Sequence, residues 1–252
     1  MPLRQPRLAE MVAAELRKRI LSGELSDGSL LPRQEELLQE FRVSLPSVRE
    51  ALRILETENL ITVRRGNVGG AVVHAPHARS AAYMLALVLE SRQVPLADVA
   101  LALSQLEPLC ASMCASAPDR LTRVVPRLHA ALRSQSEAID DEDLFAARGR
   151  FFHREMVSVC GSETLDLLVG ALESMWDAHE RVWARNATEL GAFPQLDVRA
   201  GGLRAHERLI KAIVAGDTVG AQRIAARHLH EAQSHALGEP AVDVRADLLR
   251  AG

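Results

Sequence analysis

The chain has 252 residues, 48% of them hydrophobic and 25% charged, with a formal net charge of −3. That length and apolar content suit two domains with sizeable cores, and the charge excludes a protein that holds nucleic acid by bulk positive charge. No apolar run reaches the roughly 18 residues of a membrane span, no signal-like apolar core follows the N-terminus, and three cysteines do not make a secreted disulfide framework, so the expected compartment is the cytoplasm.

Residues 8–22 place Leu8, Val12, Leu16 and Ile20 on one stripe with Met11 beside it, an amphipathic helix suited to closing the back of a small domain. A turn cluster at residues 26–29 leads to a short helix over 34–41 that packs through Leu37, Leu38 and Phe41. Phe41, Arg42 and Val43 supply a tight turn. Ser44 is a candidate N-cap for the next helix, Pro46 is tolerable in its first turn, and Val48, Leu52 and Leu55 recur at helical spacing. The opposite face carries Ser47, Arg49, Glu50 and Arg53. Arg49 and Arg53, four apart, project from one side and can reach phosphates or guanine edges in a major groove. Arg33 and Arg42 lie close enough in sequence to join them. Asn59 is a candidate left-handed helix terminator. Residues 60–64 and 70–73 then pair as strands around a glycine-containing loop, a wing with Arg64 and Arg65 near its tip. The bland alternative is an ordinary helical hairpin and β-hairpin with solvated arginines. Residues 1–75 carry 11 Arg and Lys against 10 Asp and Glu, so DNA affinity must rest on where the arginines point and fall steeply with salt.

Residues 75–79 read as a linker, separating a DNA-binding domain over 1–74 from a second domain over 80–237; residues 238–252 read as a tail, with a weak helix over 242–249. The second domain shows helical pattern only, over 79–92, 96–117, 119–136, 140–160, 162–190, 199–215 and 217–236. The fold class is therefore mostly α, a winged helix-turn-helix followed by an all-helical bundle. Cys110 and Cys114 share a helix face, which admits a redox or metal role, but small buried apolar residues are the commoner case.

The residues Leu31-Pro32, Glu36-Leu37, Val43-Ser44, Val48-Arg49-Glu50-Ala51-Leu52, Leu55, Leu60 and the glycine-rich wing resemble the winged helix-turn-helix of the GntR family of bacterial transcription regulators. Further on, Leu106-Glu107-Pro108, Phe152-His153, Ser162 after Gly161, His206 with Leu209-Ile210 and Ala212-Ile213, Gly216-Asp217 and His228-Leu229 resemble the helical effector domain of the FadR subfamily, the FCD domain, across residues 80–236. The resemblance implies DNA contacts at Arg49, Arg65, Ser44 and Ser47, with Gly66 in the wing. It also implies a homodimer on a pseudo-palindromic double-stranded operator, and repression relieved by a small-molecule effector. Leu45 and Glu35 stand where the family commonly has arginines, so a different operator is expected.

For the second domain the resemblance implies that His153, His206 and His228 hold a divalent metal, Zn²⁺ or Ni²⁺, in an effector pocket that also includes Leu103, Glu107 and Gly149. Gly149 replaces a metal-binding aspartate and Leu103 an arginine. Both losses point to a changed pocket for a larger or more apolar ligand, unless Arg148, Arg150, Arg199 or Arg204 restores an anion site. Two rival readings are a regulator with a vestigial pocket and a metal-dependent hydrolase. The hydrolase would need a base near the metal, for which Glu155 is the nearest candidate in sequence; no enzymatic activity is expected.

Overall fold

The computed structural model describes residues 8–64, 70–76, 78–237 and 242–249. The chain divides into two compact units, Met1–His77 and Ala78–Gly252.

In the first unit α1 (Leu8–Leu21) lies against α3 (Leu45–Thr57), with α2 (Gln34–Phe41) between them in sequence. Val12, Leu16 and Ile20 of α1 meet Val48, Leu52 and Leu55 of α3 in one core, as the two stripes predict; Leu8, at the head of its stripe, stays exposed. Arg42, at φ 51°, makes the left-handed reversal between α2 and α3. Ser44 precedes α3 in an extended conformation but does not cap it through its side chain. Its hydroxyl pairs with that of Ser47 at 3.0 Å, while its carbonyl accepts from the N–H groups of Ser47 and Val48. At the other end Asn59, at φ 57°, donates to Glu56, and Leu60 N–H reaches back to the Leu55 carbonyl. This closes the helix with a left-handed residue that asparagine tolerates. Strands β1 (Ile61–Arg64) and β2 (Gly70–Val73) pair antiparallel with Ile61 opposite Val73, and Leu30 bridges to Val72. Buried Leu60, Ile61, Ala71 and Val73 root this wing in the helical core. The expected contacts Arg65 and Gly66 lie outside the described residues.

The second unit contains α4 (Ala78–Ser91), α5 (Leu96–Ser116), α6 (Val125–Glu137), α7 (Glu142–Ser158), α8 (Glu163–Glu189), α9 (Leu196–Ala215) and α10 (Thr218–Ala236). Helix α5 is central, packed against α7, α8, α9 and α10. Among the described residues it alone is long and apolar enough to cross a membrane, and half of it is buried in the bundle. Its Cys110 and Cys114, with Cys160, are free and buried, and burial pushes the Cys114 thiol up to about 12. They are packing residues, poor nucleophiles and poor metal ligands in that state.

Two expectations are corrected. The helix expected from residue 119 begins as a π turn, Arg120–Val124, in which Val125 N–H bonds to the Arg120 carbonyl. Pro126 has no N–H to continue an α ladder there, and its ring pushes the preceding carbonyl aside. The segment 242–249, expected as a tail or weak helix, is bound to the bundle. Leu96 N–H donates to the Val242 carbonyl at 2.8 Å, and Val244 N–H to Val94 at 3.0 Å. Arg245 N–H donates to His179 Nε2 and Ala246 N–H to Glu90. Val244, Ala246 and Leu249 are buried while Asp243, Arg245 and Asp247 are exposed. Residues Ala246–Leu249 form a 3-10 helix, so the weak helix is present in the second half of the segment, while Asp243 bridges to Pro95.

Candidate metal and effector site

Helices α7, α9 and α10 each contribute one imidazole to a common point. The ligand nitrogens of His153, His206 and His228 lie within 4.8 Å of one another. Phe152 and His153 are adjacent on α7, so one faces the core and the other the site. Phe152 stacks flat on His206, with centroids 3.8 Å apart. The His153 and His228 rings are parallel at 5.3 Å, and His206 stands across His228 at 4.5 Å.

The outward nitrogens of two rings are tied down. His206 Nδ1 lies 2.8 Å from Gln135 Oε1, an acceptor, so Nδ1 carries the hydrogen and Nε2 is bare. His153 Nδ1 lies 2.8 Å from Glu107 Oε2. The two Nε2 atoms then face each other at 3.3 Å. With Glu107 ionised, two bare lone pairs meet, and only a cation or a proton between them makes the contact favourable. Zinc–nitrogen bonds of about 2.0–2.1 Å at a tetrahedral angle place two ligand nitrogens about 3.3 Å apart. The donor set therefore fits a small divalent ion, with a carboxylate and an amide oxygen orienting the rings from behind. Burial holds the imidazoles neutral, lowering His153 to about 4 and His228 to about 3, with His206 also well below its ordinary value. Burial, helped by the Glu180 charge, pushes Glu107 up to about 8. Without a cation that carboxyl keeps its proton, donates to His153 Nδ1, and leaves His153 Nε2–H to bond His206. Replacing Glu107 with Ala frees the His153 ring, and metal affinity measured by competition with a chelating indicator is expected to fall about 10–100-fold.

The triad opens onto a cavity of about 610 Å³, whose walls include all six expected pocket residues, Leu103, Glu107, Gly149, His153, His206 and His228. A side chain at Gly149 would meet Gln135: an added Cβ would sit 2.8 Å from its Nε2. The glutamine thus takes the room an acid at that position would need. Of the four arginines considered for an anion site, Arg150, Arg199 and Arg204 line the cavity; Arg148 is exposed and does not. Arg150 is already engaged, donating to Glu180 at 3.0 Å with Asp177 at 3.8 Å. Arg199 donates to the Ile139 carbonyl and lies near Glu142.

The sequence reading missed one wall altogether. Glu173, Trp176, Asp177, Glu180 and Trp183 follow one another along the cavity side of α8, and Phe193 closes the far end. Burial raises Asp177 to about 7 despite its arginine neighbour. Acids at helical spacing on α8 resemble a solvated face; only the tryptophans among them hinted otherwise. Gln135 shares the buried stripe of Leu128 and Ala131 on α6, and a polar residue on such a stripe was a readable signal.

On the first unit, Arg33, Arg42, Ser44, Arg49 and Arg53 are exposed and Ser47 is half-buried. Arg33 heads α2, its N–H donating to Glu36 at 2.7 Å. Arg53 pairs with Glu50 at 3.2 Å, whereas Arg49 forms no ion pair among the described residues.

Residues 8–72 match the profile of the bacterial regulatory proteins, gntR family, and residues 98–231 that of the FCD domain. The HTH-type transcriptional repressor NanR of Citrobacter rodentium (strain ICC168) is 28% identical over 243 residues, 94% of this chain and 89% of that protein. Its namesake from Salmonella newport (strain SL254) is 30% identical over 186 residues, 70% of each chain. Among solved structures, Streptococcus agalactiae GntR superposes with a TM-score of 0.65 at 21% identity, covering 90% of this chain and 99% of that one, a likeness of fold.

Proposed function

Because this chain belongs to the GntR family of bacterial transcription regulators and carries an FCD domain, we propose that it is a cytoplasmic homodimeric repressor released from its operator by an effector bound in the helical unit. The observation that carries this reading is the meeting of three neutral imidazoles from three helices at the head of a cavity of about 610 Å³, in a chain that also carries a winged helix-turn-helix. The word repressor comes from the relatives' names.

Arg49 and Arg53 present α3 to the major groove, Arg33, Arg42, Ser44 and Ser47 flank it on phosphates, and Arg65 and Gly66 belong to the wing. A two-fold dimer sets two such helices about 34 Å apart. In the helical unit His153, His206 and His228 would hold a divalent ion, Zn²⁺ or Ni²⁺, which would supply a Lewis-acidic position for a carboxylate oxygen of the effector. Glu107 and Gln135 keep the rings aimed, while Leu103 and Phe152 exclude water behind them. An effector touching α7, α8, α9 and α10 together changes how these helices pack. It releases DNA only through its differential affinity for the two arrangements, commonly worth about 1–3 kcal/mol.

The rival readings fit less well. Glu155, the base a hydrolase would need, is held by Arg127 at 2.7 Å and does not line the cavity. A vestigial pocket would be collapsed, and a cavity of this volume is not. Selection from random duplexes with the purified chain is expected to return a two-fold symmetric site with half-site centres about 10 base pairs apart. An asymmetric site would sink the homodimer. An operator complex that no organic acid loosens would sink the sensor.

A further inference from the structure

The cavity has a length as well as a volume, and four helices measure it. On α7, His153 lines the triad end and Phe145 the other, eight residues or about 12 Å along the axis. On α9, His206 and Val198 are separated by the same about 12 Å, and on α8, Glu173 and Trp183 by about 15 Å. Helix α10 continues from His228 past Gln233 to His235. The space is therefore a slot running along the helices, polar at one end and aromatic at the other.

The far end is built and held in place. Trp183 and Phe193 lie 5.8 Å apart with their rings tilted by 37°. Phe193 is 5% exposed and packs with Ala184 and Ala187, and the Arg199 guanidinium sits 5.9 Å from its ring. Trp183 is only half-buried and so keeps a surface free. It also borders a second hollow of about 380 Å³ with Leu190 and Pro194. Between the two ends Arg150 is already matched by Glu180 and Asp177, so this guanidinium is not free to hold a ligand's charge. Trp176 adds an apolar wall there. A two- to four-carbon acid at the triad would leave most of about 610 Å³ holding water against aromatic rings.

We propose that the effector is an elongated organic acid with two ends. Its carboxylate sits at the histidine end, and a flat apolar body about 10–12 Å away lies against Trp183 and Phe193, which select the ligand by its length. The carboxylate half rests on the function proposed above; the aromatic half rests on the slot itself.

The protein reports on this site directly, because both of its tryptophans, Trp176 and Trp183, line the cavity. Full-length protein supplemented with Zn²⁺ is titrated with butyrate and with 7-phenylheptanoate, whose ring lies about 10 Å from its carboxylate when extended, while intrinsic fluorescence is followed. The phenyl acid is expected to bind about 10-fold tighter or more, since it buries a ring the short acid lacks. In Trp183→Ala, still reported by Trp176, that advantage shrinks to about two-fold with butyrate binding unchanged, and Trp183→Phe restores most of it. Equal affinity for the two acids, or equal weakening of both by Trp183→Ala, overturns the length selection and leaves the carboxylate site standing. Failure of both acids to bind overturns the inference together with the carboxylate reading of the triad.

Discussion

Metal analysis of the chain purified without a histidine tag is expected to find about one zinc or nickel ion per chain, and His206→Ala to weaken its binding by about 10²–10³-fold. A structural or buried zinc site is worth about 10–16 kcal/mol over four donors, so one imidazole accounts for about 3–4 kcal/mol. His206 is the member to remove because it is 1% exposed and fixed on both sides, by Gln135 at Nδ1 and by Phe152 across its face. Its loss leaves His153 and His228 with no third donor among the described residues. Truncation also leaves a hole and an unpaired Gln135 oxygen, so His206→Gln, closer in volume, separates lost ligation from lost folding. Should both variants fold and bind Zn²⁺ like the parent, the triad is a packed histidine cluster and the metal assignment is wrong.

The second large effect belongs to Arg49. A side chain reading a base edge contributes about 1–3 kcal/mol, and a two-fold dimer presents it twice. Arg49→Ala is thus expected to weaken operator binding by about 2–6 kcal/mol, about 30-fold or more, and to relax sequence preference at one base pair in each half-site. Arg53→Ala should cost less, because its guanidinium, 76% exposed, is shared with Glu50. A gel-shift series at fixed salt decides between them, and Arg49→Ala with parental affinity would show that α3 does not carry the readout.

The winged unit was legible because its signals are local. The stripe Val48, Leu52, Leu55 sets the face of α3, and Asn59 takes the left-handed turn that only a few residue types accept. The three histidines were legible through family resemblance alone, since nothing in their spacing brings α7, α9 and α10 to one point. What surrounds them was not. Glu173, Asp177 and Glu180 have the periodicity of a solvated face, and only the packing of α7 and α9 against α8 turns it inward. Gln135 could be seen as odd, but its bond to His206 spans 71 residues and belongs to the tertiary fold. The docking of residues 242–249 on the bundle was hidden by Pro240, which reads as a terminator, and by the shortness of the segment.

That end of the chain has a consequence for synthesis. Ala246 bonds to Glu90 across 156 residues, and Val244, Ala246 and Leu249 are part of the same core that α4 and α5 begin. The helical unit therefore closes its core with residues made after α10, and a nascent chain stopped near residue 237 exposes the apolar seat those residues fill. The winged unit, with its own core complete by Val73, has no such wait. During every round of translation the nucleic-acid reader can be assembled well before the part that controls it, and a truncated product would keep the reader without its control.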